Sequence, residues 1–281
     1  MEYLFHGCSS LNSIDLSRLD TSKVTSMFAM FYECTNLKSI NFGDINTSSV
    51  KNMRSLFNRC GLLTSINLSN FDTSQVTTFQ YMFKKCYKLS SINLSKFDTS
   101  KVILMEEMFY SCSNLEAIYY GKINTSSVKN MEGLFYGCSK ISSIDLSEFD
   151  TSKVTSMKYL FYNCKNLEKI NFGNINTSSV KTMENTFSQC SKISSIDISE
   201  FDLSKVTSMF SMFYNCTNLE RINFGNINTS SVKDMRSLFN NCSKITSINL
   251  SNFDTSRVTT FQYMFIYCKN LKYLNLIYKD L

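Results

Sequence analysis

Apolar and polar positions alternate over short stretches of the chain, and the pattern repeats every 26 residues. In the second copy, Ile40 and Phe42 are apolar, whereas Ser39 and Asn41 are polar. A period of two places the apolar side chains on one face of an extended strand and the polar ones on the other. The pattern therefore predicts a short strand in each copy, with its Ser and Asn side chains outward.

A second apolar pattern follows each predicted strand after a polar turn. Val50, Met53, Leu56, Phe57 and Cys60 lie 3, 3, 1 and 3 residues apart. This spacing puts apolar side chains on one face of an α-helix. We therefore expect each 26-residue copy, called a coil here, to hold one short strand, one turn and a helix of about two to three turns.

The cysteines mark the period without interruption. Successive cysteines are 26 residues apart, a Phe stands three residues before each one, and a Val stands sixteen residues after each of the first ten. Self-similarity at a fixed period is typical of repeat architectures. The eleven positions are Cys8, Cys34, Cys60, Cys86, Cys112, Cys138, Cys164, Cys190, Cys216, Cys242 and Cys268.

This periodicity predicts the fold class. Leu37, Ile40 and Phe42 have the L-x-x-L-x-L spacing of a leucine-rich-repeat strand. We expect an α/β repeat solenoid, a leucine-rich-repeat-like right-handed coil with one parallel strand layer and one short-helix layer. The expected domain is a single solenoid over residues 1–281, made of ten full repeats and partial terminal units.

A polar phrase joins the predicted strand to the predicted helix in every coil. Asp or Asn stands twelve residues after Cys, and Ser fourteen after, in all ten complete units, as in Asp20 with Ser22 and Asn46 with Ser48. Short polar side chains accept hydrogen bonds from free backbone N–H groups at turns and helix starts. The phrase is therefore expected to end a strand and to cap a helix.

The phrase has two spellings, F-D and I-N, which exchange an aromatic and an aliphatic residue. Leu146 precedes Phe149 in an F-D coil, and Phe172 precedes Ile175 in an I-N coil. Volume-conserving exchange suits a close-packed core, so we expect Phe of one coil to lie over Leu or Ile of the next. Only I-N coils carry a glycine at the strand end, which predicts a different backbone turn there. These glycines are Gly43, Gly121, Gly173 and Gly225.

The combined pattern L-x-x-I-x-L-S-x-F-D-T-S-x-V-x-x-M-x-x-M-F-x-x-C resembles the 26-residue repeat of BspA-like bacterial surface proteins, a branch of the leucine-rich repeats. The resemblance covers the whole chain. It implies a protein-binding or adhesion role at the cell surface, with a host extracellular-matrix or surface protein as partner. The start, "MEYLFHGCSS", has no signal peptide, so a cytoplasmic location remains an alternative. No apolar run is long enough to predict a transmembrane helix.

The cysteine ladder has three interpretations: buried core thiols, occasional disulfides, or metal ligands. Stacked copies point the same way and their number is odd, and His6 is the only histidine that could help to bind a metal. Core thiols are therefore the favoured interpretation. No phosphate-binding loop or catalytic Cys–His or Ser–His pair is evident. We expect neither enzymatic activity nor a cofactor nor a metal.

Basic residues flank the conserved Val in nine of ten corners, within a formal net charge of +6. A stripe of this kind is compatible with an anionic partner such as nucleic acid or a sulfated glycan. Because an Asp three residues earlier offsets about half of them, we favour a solvated edge and expect no nucleic-acid partner. The residues are Lys23, Lys51, Lys101, Lys129, Lys153, Lys181, Lys205, Lys233 and Arg257.

Recognition is expected where the uniform Ser and Asn or Asp face of the strands is interrupted. Tyr and Arg are enriched in protein-binding hot spots. The candidate partner-binding residues are Tyr119, Tyr120, Lys169, Arg221 and Tyr273. The alternative function is a structural scaffold or assembly subunit that stacks end to end through Met1–Phe5 and Tyr278–Leu281, because repeat proteins must cover their terminal coils.

Overall fold

A computed structural model describes residues 1–276 of the chain. The chain divides into two compact units, Met1–Ile141 (unit 1) and Ser142–Leu281 (unit 2). Residues Tyr278–Leu281, one of the two segments expected to mediate end-to-end stacking, lie outside the described residues. The single solenoid over residues 1–281 stays a prediction, and each unit is described by itself.

Each unit is a stack of parallel strands, as the alternating pattern predicts. Unit 1 contains β1 (Ser13–Asp15), β2 (Ser39–Asn41), β3 (Ser91–Asn93) and β4 (Ala117–Tyr119). Unit 2 contains β5 (Ser143–Asp145), β6 (Lys169–Asn171), β7 (Ser195–Asp197), β8 (Arg221–Asn223), β9 (Ser247–Leu250) and β10 (Tyr273–Leu276).

The strands associate in pairs, and in each pair a residue lies opposite the one 26 positions away in the sequence. Ile14 is opposite Ile40, and Ile144 is opposite Ile170. The hydrogen-bonded pairs are β1 with β2, β3 with β4, β5 with β6, β7 with β8, and β9 with β10. Parallel bridges between equivalent residues, such as Ser26 with Asn52 and Thr182 with Ser208, link coils on a second side of each unit.

The predicted short-helix layer is wrong, because residues 1–276 contain no helix. In its place, alternate backbone N–H groups donate to the next coil: Ala29 N–H to Arg54 O at 2.9 Å and Phe31 N–H to Leu56 O at 3.0 Å. Intervening N–H groups close tight turns, such as Cys34 N–H to Phe31 O at 3.1 Å. The backbone groups that a helix would pair internally are therefore shared between coils.

Two residues per coil adopt a positive φ to make this chain of turns. They lie five and one residues before each cysteine, and 19 of them are not glycine; Ala29 has φ 51° and Glu33 has φ 62°. A positive φ at the third residue is the feature of a type II turn. A succession of these turns places the apolar side chains on one face. It does so at the same spacing of 3, 3, 1 and 3 residues that also fits a helix.

The close stacking of the coils explains why residues 1–276 contain no helix. The Phe187 ring lies 5.6 Å from that of Phe161 and 5.5 Å from that of Phe213, with near-parallel planes. Packed helices need about 8–10 Å between axes, whereas strands need about 4.8 Å. A layer of helices does not fit this rise per coil, and the turns do.

The core is the one predicted from the apolar pattern. Met53 and Phe57 are fully buried, and Cys60 lies beside them without exposed surface. The Phe three residues before each cysteine stacks on its equivalents in neighbouring coils of the same unit. Phe residues spaced 26 positions apart in the sequence therefore form a column of stacked, buried rings.

The two spellings define a double repeat in which an F-D coil is followed by an I-N coil. Gly173 of an I-N coil has φ +54°, and a Cβ added to it would lie 2.4 Å from Cα of Ser147 in the preceding F-D coil. Only a glycine allows this approach of the two backbones. The predicted different turn is confirmed, and the same Gly–Ser contact recurs at Gly43, Gly121 and Gly225.

Aromatic contacts connect one double repeat to the next. The ring of Phe172 meets that of Phe201 edge to face at 5.1 Å, and Phe224 meets Phe253 at 5.0 Å. The expected contact of Phe with Leu or Ile is thus replaced at these steps by Phe with Phe. In an I-N coil the Phe directly follows the strand, as Phe172 does, whereas in the following F-D coil the Phe lies at the corner, as Phe201 does. These two rings therefore meet, and edge-to-face pairs are favourable.

Candidate functional site

The repeated corner phrase is a structural turn. Asp150 Oδ1 accepts the backbone N–H of Ser152 at 2.9 Å, and Asn46 Oδ1 accepts that of Ser48 at 3.0 Å. The same bond is present in all ten corners. The predicted acceptor role is confirmed, but the side chains close a turn and cap no helix.

A buried threonine between these two residues joins neighbouring coils. Thr177 Oγ1 donates to the carbonyl oxygen of Asp202 at 3.0 Å and accepts the backbone N–H of Asp202 at 2.7 Å. Thr occupies this position in nine corners and Leu203 in the tenth, and Thr177 is 1% exposed. The sequence analysis did not identify this role, although the near-uniform Thr was its signal.

The Asn and Asp residues on the outer strand face have a local partner. Asp145 Oδ1 accepts the backbone N–H of Ser147 at 2.9 Å and the side-chain amide of Asn171 at 3.0 Å. The backbone hydrogen bond from Ser147 is the main reason why the pKa of Asp145 lies below its ordinary value. This part of the face therefore serves the turns and the ladder between strands.

Tyr119 and Tyr120 point to opposite sides of unit 1. Tyr119 ends β4, is 59% exposed and replaces the Asn that stands opposite it at Asn93. Tyr120 is half-buried, and burial raises the pKa of its hydroxyl well above the ordinary value. Of this pair, only Tyr119 is exposed on the outer face.

Lys169, Arg221 and Tyr273 form one exposed row in unit 2. Each is the first residue of its strand, in β6, β8 and β10, and each is paired with a serine of the preceding strand. The backbone N–H groups of Lys169 and Arg221 donate to Ser142 O and Ser194 O at 3.2 and 3.3 Å. Successive members are two coils apart, about 10 Å at about 4.8 Å per coil.

Exposed ion pairs border this row. Lys192 Nζ lies 3.6 Å from Glu168 Oε1, and Lys244 Nζ lies 4.0 Å from Glu220 Oε1. Exposed pairs contribute little to stability. The glutamates nevertheless place negative charge beside Lys169 and Arg221, so the row and its border present a mixed-charge surface.

The basic corner residues are exposed, as expected of a solvated edge. Lys23, Lys51, Lys153 and Arg257 are examples in the two units. Lys101 uses its ammonium group to bind Gln75 Oε1 of the preceding coil at 2.8 Å. The expectation that this edge binds no nucleic acid stays a prediction.

The cysteine ladder lies in the core. Nine of the eleven thiols are buried; Cys8 is exposed and Cys268 is intermediate. Burial raises the pKa of Cys34 to about 11 and that of Cys112 to about 12. The thiolate is the reactive form, so these side chains are protonated and unreactive at neutral pH.

A metal centre and a membrane-spanning helix are two further features to consider within residues 1–276. No group of three or more His, Cys, Asp or Glu side chains there has an arrangement that could hold a metal ion. The same residues form no helix long and apolar enough to cross a membrane.

Solved structures with a related fold include bacterial leucine-rich repeat proteins. One from Bacteroides ovatus ATCC 8483 is 23% identical, with a TM-score of 0.52 over 98% of this chain and 75% of its own. One from Eubacterium ventriosum ATCC 27560 is 16% identical, with a TM-score of 0.50 over 99% of this chain and 81% of its own. These similarities show the fold. No curated protein matches the sequence.

A family model described as "Mycoplasma protein of unknown function, DUF285" matches overlapping segments of the chain. The segments are residues 1–113, 38–145, 86–196 and 183–276. Together they include nearly all of the sequence, and the 26-residue period fits BspA-like repeats. The chain therefore belongs to the DUF285 family of Mycoplasma proteins of unknown function, and its repeats are of the bacterial leucine-rich type.

Proposed function

We propose that this chain is a non-enzymatic protein-binding repeat module that contacts its partner through the exposed row Lys169, Arg221 and Tyr273. The observation that carries the proposal is the contrast within the strand face of unit 2. Asn and Asp side chains there are engaged in turn and ladder hydrogen bonds. The three longer side chains are exposed and repeat at equal intervals.

The chemistry of the row supports recognition of a protein surface. Arg and Tyr supply planar donors and large contact area, which is why they are enriched at hot spots. Tyr273 is 73% exposed, so the ring has apolar area to bury against a partner. Repeat proteins offer such rows as extended binding surfaces.

The finer proposal is an adhesion role at the cell surface. It is supported by the resemblance to BspA-like surface proteins, and the partner class is an extracellular-matrix or surface protein of a host. Tyr119, exposed on the strand face of unit 1, is proposed as an additional contact residue.

Binding to a panel of purified, immobilised extracellular-matrix proteins tests this proposal. Arg221→Ala and Tyr273→Ala should each weaken binding by at least about 1–2 kcal/mol. Ser195→Ala, in the strand paired with β8, is the matched control and should bind like the original chain. Thermal melting of all variants checks that the fold is retained.

The contrary outcome is assembly through the terminal coils. The apolar side chains that this second candidate would use on the first and last described coils include Leu4, which is 50% exposed, and Tyr267, which is 66% exposed. If strand-face substitutions leave partner binding unchanged while Leu4→Ser and Tyr267→Ser convert an oligomer into a monomer in sedimentation experiments, the adhesion proposal fails.

A further inference from the structure

A groove crosses the turn layer of unit 1, on a different side of the coils from the strands. Its volume is about 380 Å³, and Tyr3, Phe28, Tyr32 and Tyr81 contribute to its lining. The residues five before each cysteine are large at Tyr3 and Tyr81 but small between them, at Ala29 and Ser55. The two small side chains leave the space that forms the groove.

Four cationic side chains line the groove, and no carboxylate does. They are Arg54, Arg59, Lys84 and Lys85. Glu33 pairs with Arg59 at 2.5 Å, and Glu107 pairs with Lys84. Within residues 1–276, neither Arg54 nor Lys85 makes an ion pair with a carboxylate, and the charge of Arg54 interacts only weakly with that of Glu106, so both cations can bind an anionic ligand.

The aromatic rings of the groove already contact cations. The Arg54 guanidinium lies 5.6 Å from the ring centre of Phe28 and 5.4 Å from that of Tyr81. The Lys84 ammonium lies 4.8 Å from the Tyr81 ring, and Arg59 lies 6.0 Å from the Tyr32 ring. Cation–π contacts hold these side chains in place and occupy the ring faces that a nucleic-acid base would need for stacking.

An unsatisfied acceptor adds a second requirement for the ligand. Asn58 lines the groove and is 8% exposed. Its Oδ1 is buried and has no hydrogen-bond partner among residues 1–276. An unpaired buried acceptor is unfavourable, so a ligand that brings an O–H or N–H donor gains from meeting it. A sulfate ion alone does not supply that donor.

We propose that this groove binds an acidic sugar. Its sulfate or carboxylate is held by Arg54 and Lys85, and a neighbouring hydroxyl donates to Asn58 Oδ1 when the side-chain amide turns toward the groove. The volume is at the small end of ligand sites, which suits one or two sugar rings. This site is independent of the proposed protein-binding row, because its residues belong to unit 1 and the row belongs to unit 2.

Calorimetric titration of the full chain with a sulfated uronic disaccharide, and with the same disaccharide without sulfate, tests the proposal. We expect saturable one-to-one binding of at least one of them, and the comparison tells whether sulfate or carboxylate is the anion. Arg54→Gln and Lys85→Gln should each weaken binding about tenfold. Lys51→Gln removes the same charge from the exposed corner of unit 1 and should change the Kd less than twofold.

Asn58→Ala separates binding from folding. Its amide oxygen has no hydrogen bond to lose, so the melting temperature should fall only through lost side-chain packing, while sugar affinity decreases at least fivefold. The proposal is overturned if neither disaccharide saturates, if Lys51→Gln weakens binding as much as Arg54→Gln, or if Asn58→Ala binds normally. Binding of only a phosphotyrosine peptide or an oligothymidine control would also overturn it.

Discussion

The thiol of Cys60 donates a hydrogen bond to the backbone carbonyl oxygen of Phe31, 29 residues earlier, over 3.2 Å. The same carbonyl accepts the backbone N–H of Cys34 at 3.1 Å. Equivalent thiol bonds recur along both units, for example from Cys216 to Phe187 at 3.1 Å. The cysteine column therefore links coils through weak hydrogen bonds and packing, without covalent bonds.

Thiol reactivity should follow this burial. We expect Cys8 to react rapidly with Ellman's reagent in the native protein, Cys268 slowly, and the nine buried thiols only after denaturation. Cys8→Ser should remove the rapid phase and leave the total after denaturation one lower. Recovery of far fewer than eleven thiols in denaturant, without reductant, would mean that disulfides are present.

Stability should decrease at alkaline pH. Burial raises the pKa of Cys112 to about 12, above the ordinary 9.0, so above pH 9 the unfolded chain loses a proton that the folded chain retains. The contribution of such a thiol to the free energy of unfolding is therefore constant below the unfolded pKa, and above it falls by up to about 1.4 kcal/mol per pH unit. Urea unfolding between pH 7 and 10.5 measures this slope.

Two variants assign that slope to buried thiols. Cys112→Ala should make the alkaline decrease shallower, whereas Cys8→Ser, at an exposed thiol, should not. Equal slopes in both variants would attribute the decrease to other groups.

A β-branched residue should be poorly tolerated where φ is positive. Ser111 has φ 57°. Ser111→Val should lower the free energy of unfolding by about 1–2 kcal/mol, because Val is strained in the left-handed region, and Ser111→Asn should be nearly neutral. Denaturant unfolding compares the two; similar losses for Val and Asn would argue against backbone strain at this residue.

Any side chain at Gly173 should disturb the double repeat. A Cβ there would lie 2.4 Å from Cα of Ser147, and the residue has φ +54°. Gly173→Ala should therefore destabilise unit 2 by at least about 2 kcal/mol. The matched control is Gly61→Ala, where the nearest atom belongs to the Tyr87 side chain at 3.3 Å. Thermal unfolding should show a clear decrease only for the first variant.

The buried threonine column should contribute through its hydroxyl groups. Thr177→Val keeps the shape but leaves the N–H and C=O of Asp202 without the hydroxyl, at a cost of about 1–3 kcal/mol. Thr246→Val, at an exposed threonine of the same unit, should change stability by less than about 0.5 kcal/mol. Equal chemical-denaturation midpoints for the two variants would contradict this role.

The turn at each corner could be predicted from the local sequence, whereas the role of the buried threonine within the corner could not. Asp150 and Ser152 form a turn whose hydrogen bond spans only two residues, so their sequence specifies it directly. Thr177 acts on a residue 25 positions away, so its role depends on how the coils stack. The candidate row was predictable only as departures from a repeat; that Tyr119 is outward while Tyr120 is half-buried follows from where β4 ends.

The amino-acid order alone was enough to predict the 26-residue period, the parallel strands and the buried Phe and Cys columns, because these depend on which side chains avoid water. It did not distinguish a helix from a chain of turns, because Val50, Met53, Leu56, Phe57 and Cys60 face inward in either one. One local signal was available: none of the residues at the two positive-φ positions is β-branched. The stacking of the coils selects the chain of turns over the helix. Coils stacked about one strand spacing apart can share backbone hydrogen bonds, whereas helices are too wide to stack at that distance.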